Sequence, residues 1–182
     1  MPPPQRRRAQ WEFTQSCAAY SVATYILGIG DRHNDNIMMR PNGKLFHIDF
    51  GHVMGNFKRK HFAWMSVLRE RSPMLLPTVF VQVIHSGGEE QFKKFRDLCE
   101  TAYLILRNNG GLLISLLAMM LSTGMPELQA EADLEYMRTQ LQLDQSITEE
   151  KAKEFFHNEF NSSLKKGYTV TINWWTHAIN QM

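Results

Sequence analysis

The sequence predicts an α+β fold that is mostly helical and carries one small β-hairpin. In the second half of the chain, apolar residues recur at three- and four-residue steps, the spacing of an amphipathic helix. The clearest stripe comprises Phe92, Phe95, Leu98, Cys99, Ala102 and Leu106. Near residue 40, two short extended runs flank Asn42-Gly43, and this pair predicts a hairpin turn. With 182 residues, of which 43% are apolar, the chain can form one domain with a buried core.

The N-terminal part divides into a tail and a helix. Residues 1–10 contain three prolines followed by three arginines and show no periodicity, so we expect a disordered, basic tail. From Trp11 a helix is predicted, and it should end at Gly28 or Gly30. We therefore assign residues 1–10 to the tail and residues 11–182 to a single domain.

The rest of the chain, after an irregular stretch from 52 to 77, is predicted to be helical. Thr148 is the expected N-cap of a long helix near the C-terminus. The apolar run 112–121 is too short to span a bilayer, and we expect it to be a buried helix. The predicted helices cover residues 79–84, 92–106, 112–121, 134–141 and 148–164, and a short final segment covers 172–182.

The net charge, the cysteines and the N-terminal residues limit which partners and which cellular compartment we expect. The net charge is only +2, so the chain has no overall attraction for polyanions, and we expect no nucleic-acid partner. Cys17 and Cys99 stand in no metal-binding spacing, which favours packed thiols in a reducing compartment over a zinc site. The first residues lack the apolar stretch of a secretory signal. These features together predict a cytoplasmic protein.

Two short motifs carry the chemistry: Gly30-Asp31-Arg32-His33-Asn34-Asp35-Asn36 and His47-Ile48-Asp49-Phe50-Gly51. Asn36 lies five residues after Asp31, and Asp49 lies thirteen residues after Asn36. This is the order and spacing of a kinase catalytic loop followed by a metal-binding Asp-Phe-Gly. Asp and Asn are also common turn formers, but their combination with the intervening hairpin favours the kinase interpretation.

A hairpin centred on Asn42-Gly43 would bring the two motifs together. Folding the chain at that pair puts position 36 opposite position 49, because both pairs of numbers sum to 85. The Asn36 amide and the Asp49 carboxylate would then share one end of the hairpin and could bind Mg²⁺, which prefers oxygen ligands. Asp31 would face the same space from one short loop away.

The residues of both motifs closely resemble those of the phosphoinositide 3-kinases. The resemblance rests on Asp31-Arg32-His33, on residues 22–30 and on residues 47–52, and it extends from about Glu12 to the C-terminus. It implies the mostly helical C-lobe of a kinase-like fold, whose hairpin carries the catalytic and metal-binding loops, with ATP and Mg²⁺ as cofactors. The implied reaction transfers the γ-phosphate of ATP to the 3-hydroxyl of phosphatidylinositol 4,5-bisphosphate.

The resemblance also implies catalytic roles for single residues. Asp31 and His33 are both candidates for the base that accepts the proton of the attacking hydroxyl, and the sequence does not separate them. Arg32 is expected to tie the loop to nearby carbonyls or carboxylates. His52 matches a family position that faces the substrate phosphates.

The segment after His52 matches the activation loop of the family, with Lys58, Arg59 and Lys60 as its basic cluster. Class I members of the family use basic residues here to bind the phosphates on the inositol ring. The cluster therefore implies a preference for phosphatidylinositol 4,5-bisphosphate. Further on the chain departs from the pattern, because the loop is longer and residues 72–74 read Ser-Pro-Met instead of Val-Pro-Phe. This departure bears on lipid preference more than on the class of catalysis.

The C-terminus and the resemblance together imply partners. Trp174 and Trp175 are expected to contact the membrane, as the terminal helix of the family does. The implied partners are a phosphoinositide lipid in the membrane and a regulatory subunit of the class I type. The implied location is the cytoplasm, with recruitment to the inner face of the plasma membrane.

No glycine-rich loop or phosphate-binding lysine precedes Asp31, so we expect the N-lobe to be absent and the chain alone to have little or no turnover. Two alternatives stay open. One is another kinase of the superfamily, such as a phosphatidylinositol 4-kinase or a large Ser/Thr protein kinase. The other is a catalytically silent fragment that binds a membrane or a partner.

Overall fold

The computed structural model describes residues 4–30, 32–51, 53–54, 74–125, 128 and 131–180, with side chains up to Lys165 except those of residues 34 and 132. In this part of the chain, two strands lie between the first helix and five further helices. The α+β class predicted from the sequence is therefore confirmed. The helices are α1 (Pro4–Ile26), α2 (Thr78–His85), α3 (Glu89–Asn108), α4 (Gly110–Met120), α5 (Glu131–Gln140) and α6 (Glu149–Asn180), and the strands are β1 (Ile37–Met39) and β2 (Leu45–His47).

Helix α1 begins at Pro4, so the prediction of a disordered tail is wrong for residues 4–10. Proline suits the first turn of a helix, where its missing N–H would have no partner in any case. The Gln10 side chain donates to the Val83 carbonyl at 2.7 Å and to Ser86 Oγ at 2.9 Å, which ties the first turns of α1 to the end of α2. Periodicity missed this segment because its side chains are mostly polar and exposed.

The hairpin forms where predicted, but in a different register. β1 and β2 are antiparallel with Ile37 opposite His47, so that paired numbers sum to 84 and not to 85. The turn has three residues, 41–43, because backbone bonds of 2.8 and 2.9 Å close it at Arg40, opposite Lys44. Gly43 has a φ of 93°, the positive angle that the last residue of such a loop requires.

One face of α1 supports the hairpin. A Cβ at Gly43 would lie 2.3 Å from the Ala9 carbonyl oxygen, so only glycine allows the turn to approach the helix this closely. The Leu45 N–H donates to Ser16 Oγ at 2.9 Å, which fixes the start of β2. The supporting face comprises Ala9, Glu12, Ser16 and Tyr20.

The core lies where α1, α3 and α6 meet, and aromatic rings fill it. The Tyr103 ring stacks on Phe156 with centroids 4.5 Å apart, and Tyr25 meets the same phenyl ring at 6.2 Å. These three side chains are at most 1% exposed. The Tyr103 hydroxyl donates to the Gln140 carbonyl at 3.1 Å, and burial raises the pKa of Tyr103 to about 12. This contact joins the C-terminal end of α5 to the core.

Both cysteines are free and buried, as predicted for packed thiols. Cys17 lies on α1 and Cys99 on α3, at the interface of these two helices. Burial raises the pKa of the Cys17 thiol to about 12 and that of Cys99 well above its usual value.

Helix α4 is apolar but lies partly in solvent, so the prediction of a buried helix at 112–121 is wrong. Leu112 and Met119 are 61% and 66% exposed, whereas Ile114 faces the core. An apolar run without periodicity does not indicate which side is covered.

Among the described residues, no single helix is long and apolar enough to cross a bilayer. The pair of α3 and residues 110–123, bent by 64°, reaches that length and composition together.

Helix α6 is longer than predicted. It runs without a break from Glu149 to Asn180, so the predicted helix 148–164 and the final segment 172–182 belong largely to one helix. Gly167 lies inside this helix, where a single glycine is tolerated. The predicted cap is confirmed, since the Lys151 N–H donates to Thr148 Oγ1 at 3.4 Å.

Candidate active site

The catalytic-loop motif ends in a single 3-10 turn, Asn34–Asn36. His33 caps this turn, with its Nδ1 accepting from the Asp35 N–H at 3.3 Å. Its other ring nitrogen, Nε2, lies 3.1 Å from Nδ2 of Asn36. The Asn36 residue is only 4% exposed, whereas the His33 side chain is 28% exposed. The loop thus presents a buried carboxamide with an imidazole directly beside it.

Arg32 ties the two motifs together. Its Nε donates to the Gly30 carbonyl at 2.8 Å, its Nη1 to the Ile48 carbonyl at 2.7 Å, and its Nη2 to the Asp49 carbonyl. The guanidinium also lies 5.6 Å from the centroid of the Phe50 ring, within cation–π range. The prediction that Arg32 holds the loop through nearby carbonyls is confirmed. A part for Arg32 in the chemistry itself stays a prediction.

Asp49 stands at a sharp backbone turn just after β2. Its φ of 59° is left-handed, which is uncommon outside glycine but tolerated by Asp and Asn. The Oδ1 atom accepts the Gly51 N–H at 3.4 Å, and the residue is exposed. The carboxylate is therefore held on a defined turn where an ion can reach it.

The observed register changes how Asn36 and Asp49 meet. The Ile48 N–H donates to the Asn36 carbonyl at 3.0 Å, so Asn36 faces Ile48, and Asp49 follows one residue later. The predicted direct pairing of positions 36 and 49 is wrong, because a three-residue loop shifts every pairing by one position. The two motifs still meet at the same end of the hairpin.

The donor set of Asn36 and Asp49 fits Mg²⁺. An amide and a carboxylate supply oxygen ligands, and Mg²⁺ in phosphate-transfer sites is held by one or two such groups together with substrate phosphates. Within the described part of the chain, no three His, Cys, Asp or Glu residues gather as a metal site. The pair therefore suits an ion that arrives with a nucleotide, and binding of Mg²⁺ here stays a prediction.

His47 packs next to the site, on the side that faces α1. Its ring stacks on Tyr20 at 4.7 Å with an interplanar angle of 11°, and the residue is 5% exposed. Its Nδ1 is buried and has no hydrogen-bond partner among the residues that the structure describes. Burial, and then the charge of Arg32, lower the pKa of His47 to about 4. The ring is therefore a neutral packing element between α1 and the site at physiological pH.

Two apolar side chains flank the site, and the sequence analysis missed both. Met38 is 47% exposed and Ile48 is 39% exposed. Met38 lies on β1, two residues after Asn36, and Ile48 directly precedes Asp49. Short apolar runs are usually taken as core, and only the exposure shows that these residues form a surface beside the polar site.

Several predicted site residues lie outside the described residues: Asp31, His52, Lys58, Arg59 and Lys60. Trp174 and Trp175 lie in the last turns of α6, where only the backbone is described. The roles expected for all of them stay predictions.

A helical body whose hairpin joins a loop of this spacing to an Asp-Phe-Gly defines the C-lobe of a kinase-like fold. The profile of the family described as "Phosphatidylinositol 3- and 4-kinase" matches residues 5–130. The chain belongs to this family.

Two curated relatives come from Dictyostelium discoideum. Phosphatidylinositol 3-kinase 3 is 45% identical over 173 residues, which are 95% of this chain and 10% of the relative. Phosphatidylinositol 3-kinase 1 is 46% identical over 167 residues, which are 91% of this chain and 10% of the relative. The chain thus spans about a tenth of the length of these relatives.

Proposed function

We propose that the chain supplies the catalytic loop and the metal-binding loop of a phosphoinositide 3-kinase. The reaction transfers the γ-phosphate of ATP to the 3-hydroxyl of phosphatidylinositol 4,5-bisphosphate. The observation that carries the proposal is the bond from the Ile48 N–H to the Asn36 carbonyl at 3.0 Å. This bond holds the amide motif beside the Asp-Phe-Gly turn, in a chain about 45% identical to two phosphatidylinositol 3-kinases.

In the proposed reaction the 3-hydroxyl oxygen forms a bond to the γ-phosphorus, the bond from the γ-phosphorus to the bridging oxygen breaks, and ADP leaves. Asn36 and Asp49 would hold Mg²⁺, which neutralises charge on the phosphate oxygens when bound. The proton of the hydroxyl passes to Asp31 or to His33. The exposed apolar surface of Met38 and Ile48 suits the flat face of an adenine ring.

We further propose that Lys58, Arg59 and Lys60 select the bisphosphorylated lipid. Several cations placed together favour a headgroup that carries extra phosphates over unphosphorylated phosphatidylinositol. Trp174 and Trp175 would contact the bilayer, and a class I regulatory subunit would be the protein partner. The proposed location is the cytoplasm, with recruitment to the inner face of the plasma membrane.

A graft tests the activity. The chain should replace the matching segment of Dictyostelium phosphatidylinositol 3-kinase 1, because that relative supplies the nine tenths of its length that the chain does not match. With radiolabelled ATP and lipid vesicles, we expect lipid phosphorylated at the 3-position. Asp49→Ala in the graft should lower the rate at least about 100-fold, since charge in the transition state loses its counter-ion. The control is Asp97→Ala, which removes an exposed acid from α3.

The outcomes separate the alternatives. Product at the 4-position would identify a 4-kinase, and phosphorylated protein without lipid product would identify a protein kinase. A graft that folds and binds vesicles but forms no product would support the silent, membrane-binding alternative. Neutralising residues 58–60 should abolish the use of phosphatidylinositol 4,5-bisphosphate before basal ATP hydrolysis. Parallel loss of both would contradict the proposed role of that cluster.

A further inference from the structure

Exposed cations gather where the first turns of α1 meet the turn of the hairpin, and the proposed reaction does not use them. Residues 4–11 contain three arginines and no acid. Because these residues are helical, their side chains leave the backbone at fixed positions. Residues three or four apart are neighbours on a helix, so Arg6 lies beside Ala9 and Arg8 lies beside Glu12.

The hairpin turn adds two further cations at the same place. Gly43 packs against the backbone of Ala9, and Lys44 Nζ lies 3.4 Å from Glu12 Oε2. The Arg40 N–H donates to the Lys44 carbonyl at 2.8 Å, so Arg40 lies opposite Lys44 across the turn. We call this surface the basic face, and its exposed cations are Arg6, Arg8, Arg40 and Lys44.

The basic face concentrates the positive charge of the chain. Its four cations and Glu12 together carry +3, whereas the whole chain carries +2, so all other residues sum to −1. Like charges that are held together repel one another, and an anionic partner would relieve this repulsion. The low net charge of the whole chain therefore conceals a local surface that attracts anions.

An exposed apolar side chain beside these cations indicates what kind of anion fits. Met39 directly precedes Arg40 and is 64% exposed. Surfaces that lie on a membrane combine cations, which meet the headgroups, with apolar side chains that enter the boundary with the acyl chains. A nucleic acid presents mainly phosphate and sugar to such a surface and would leave Met39 without an apolar partner.

We propose that the basic face binds the surface of an anionic lipid bilayer. Its cations contact the negative headgroups, and Met39 enters the interface between headgroups and acyl chains. The proposal involves none of the residues to which the proposed function assigns lipid contact, and it does not rest on the proposed reaction.

Vesicle sedimentation tests the proposal. The chain is mixed with vesicles of phosphatidylcholine, either alone or together with phosphatidylserine. Binding to the vesicles that contain phosphatidylserine should be at least about tenfold tighter and should weaken as the salt concentration rises. These vesicles contain no phosphoinositide, so the measurement is separate from recognition of the proposed substrate.

A double variant tests whether α1 and the hairpin turn form one surface. Arg8→Gln with Arg40→Gln removes one cation from each element. A cation near an anionic bilayer contributes about fivefold to binding, so we expect the double variant to bind about 25-fold more weakly.

The matched control removes the same net charge elsewhere. Lys93→Gln with Arg96→Gln takes two exposed cations from α3, and its binding should stay within about twofold of the unsubstituted chain. All four positions are exposed, so the fold should be kept, and circular dichroism checks this.

Met39→Gln distinguishes a bilayer from other polyanions. It should weaken binding to the anionic vesicles about fivefold, because an apolar side chain no longer enters the interface. Binding to heparin, a polyanion without an apolar interior, should stay within about twofold.

The other outcomes would overturn the proposal. Equal losses in the two double variants would show an effect of net charge alone, and equal binding to both kinds of vesicle would exclude attraction to anionic headgroups. Unchanged vesicle binding in Met39→Gln, or tighter binding to a single-stranded RNA than to the anionic vesicles, would exclude the bilayer as the partner. A graft that phosphorylates no lipid would overturn the proposed function and leave this inference standing.

Discussion

The helical body and the hairpin region are held by different forces. In the body, Tyr25, Tyr103 and Phe156 are at most 1% exposed and contact one another through their rings. In the loops at the end of the hairpin, Arg32 is half-buried and Asp49 is exposed, and a few directed hydrogen bonds fix both residues. Apolar packing stabilises the body in proportion to the apolar area that it removes from water. Each hydrogen bond, in contrast, contributes about 1 kcal/mol and mainly fixes geometry.

This difference predicts that stability and site geometry can be changed separately. A region held by few apolar contacts opens locally at low cost, and functional loops are commonly drawn from such regions. Substitutions in the body should lower the free energy of unfolding of the whole chain. Substitutions in the hairpin region should change the site first.

The largest expected effect comes from Phe156→Ala. Removing this ring leaves a cavity against Tyr25 and Tyr103 and should lower the free energy of unfolding by about 3–5 kcal/mol. Urea unfolding followed by circular dichroism measures the change. Leu112→Ala is the control, since that side chain is 61% exposed and its loss should cost less than about 0.5 kcal/mol. Equal losses would contradict the assignment of the core.

Two glycines with the same backbone angle measure the docking of the hairpin on α1. Gly43 and Gly88 have φ values of 93° and 94°, but in the described part of the chain only Gly43 of the two has neighbours within reach of an added Cβ. Gly88→Ala should cost about 1–2 kcal/mol for its backbone conformation alone, because a φ of 94° with a ψ of 168° is strained for any residue with a Cβ. Gly43→Ala should cost about 3 kcal/mol, because the new methyl group would also displace the turn from Ala9. Similar losses in thermal unfolding would show that the contact with Ala9 does not constrain the hairpin.

His47, which packs between α1 and the site, should make the free energy of unfolding depend on pH. Its folded pKa of about 4 is lower than the ordinary value of 6.5, so the unfolded chain binds more protons between these values. Stability should therefore fall as the pH drops through this window, by about 3 kcal/mol in total.

His47→Phe keeps a ring against Tyr20 but cannot titrate, so it is the matched control. Urea unfolding at several pH values should show a shallower pH dependence for His47→Phe than for the unsubstituted chain. Parallel curves would exclude His47 as the source of the pH dependence.

The smallest expected effect on stability comes from Arg32→Lys. A lysine cannot reach three carbonyls with a planar fork, so about 1 kcal/mol should be lost. Hydrogen exchange should become faster for residues 48–51 and stay unchanged in α3 and α6. Arg96→Lys, at an exposed position of α3, is the control. Unchanged exchange at 48–51 would contradict the role of Arg32 as the tie between the motifs.

The sequence was sufficient for the helices with a clear apolar stripe. The amphipathic stripe from Phe92 to Leu106 predicted α3, and the Thr148 cap predicted the start of α6. It was insufficient where periodicity is weak, as in the polar residues 4–10 and the uniformly apolar α4. In these segments the neighbouring elements, and not the local pattern, decide the boundaries and the exposed side.

For the site, the sequence predicted which residues belong to it. It predicted less well which of these residues contact one another. Asn42-Gly43 predicted a turn. Whether the loop has two or three residues depends on backbone hydrogen bonds that the residue types do not specify. One residue of loop length moved Asn36 from Asp49 to Ile48. The contact of His33 with Asn36 likewise depends on side-chain rotamers and became visible only in the folded chain.

The burial of both native thiols has a practical consequence for spectroscopy. Thiol-directed reagents attack the thiolate, and the raised pKa values of Cys17 and Cys99 keep both groups protonated and out of reach. A cysteine introduced at an exposed position such as Met39, 64% exposed on β1, would be the preferred site of labelling. Fluorophores or spin labels could then report on the hairpin without removal of either natural cysteine.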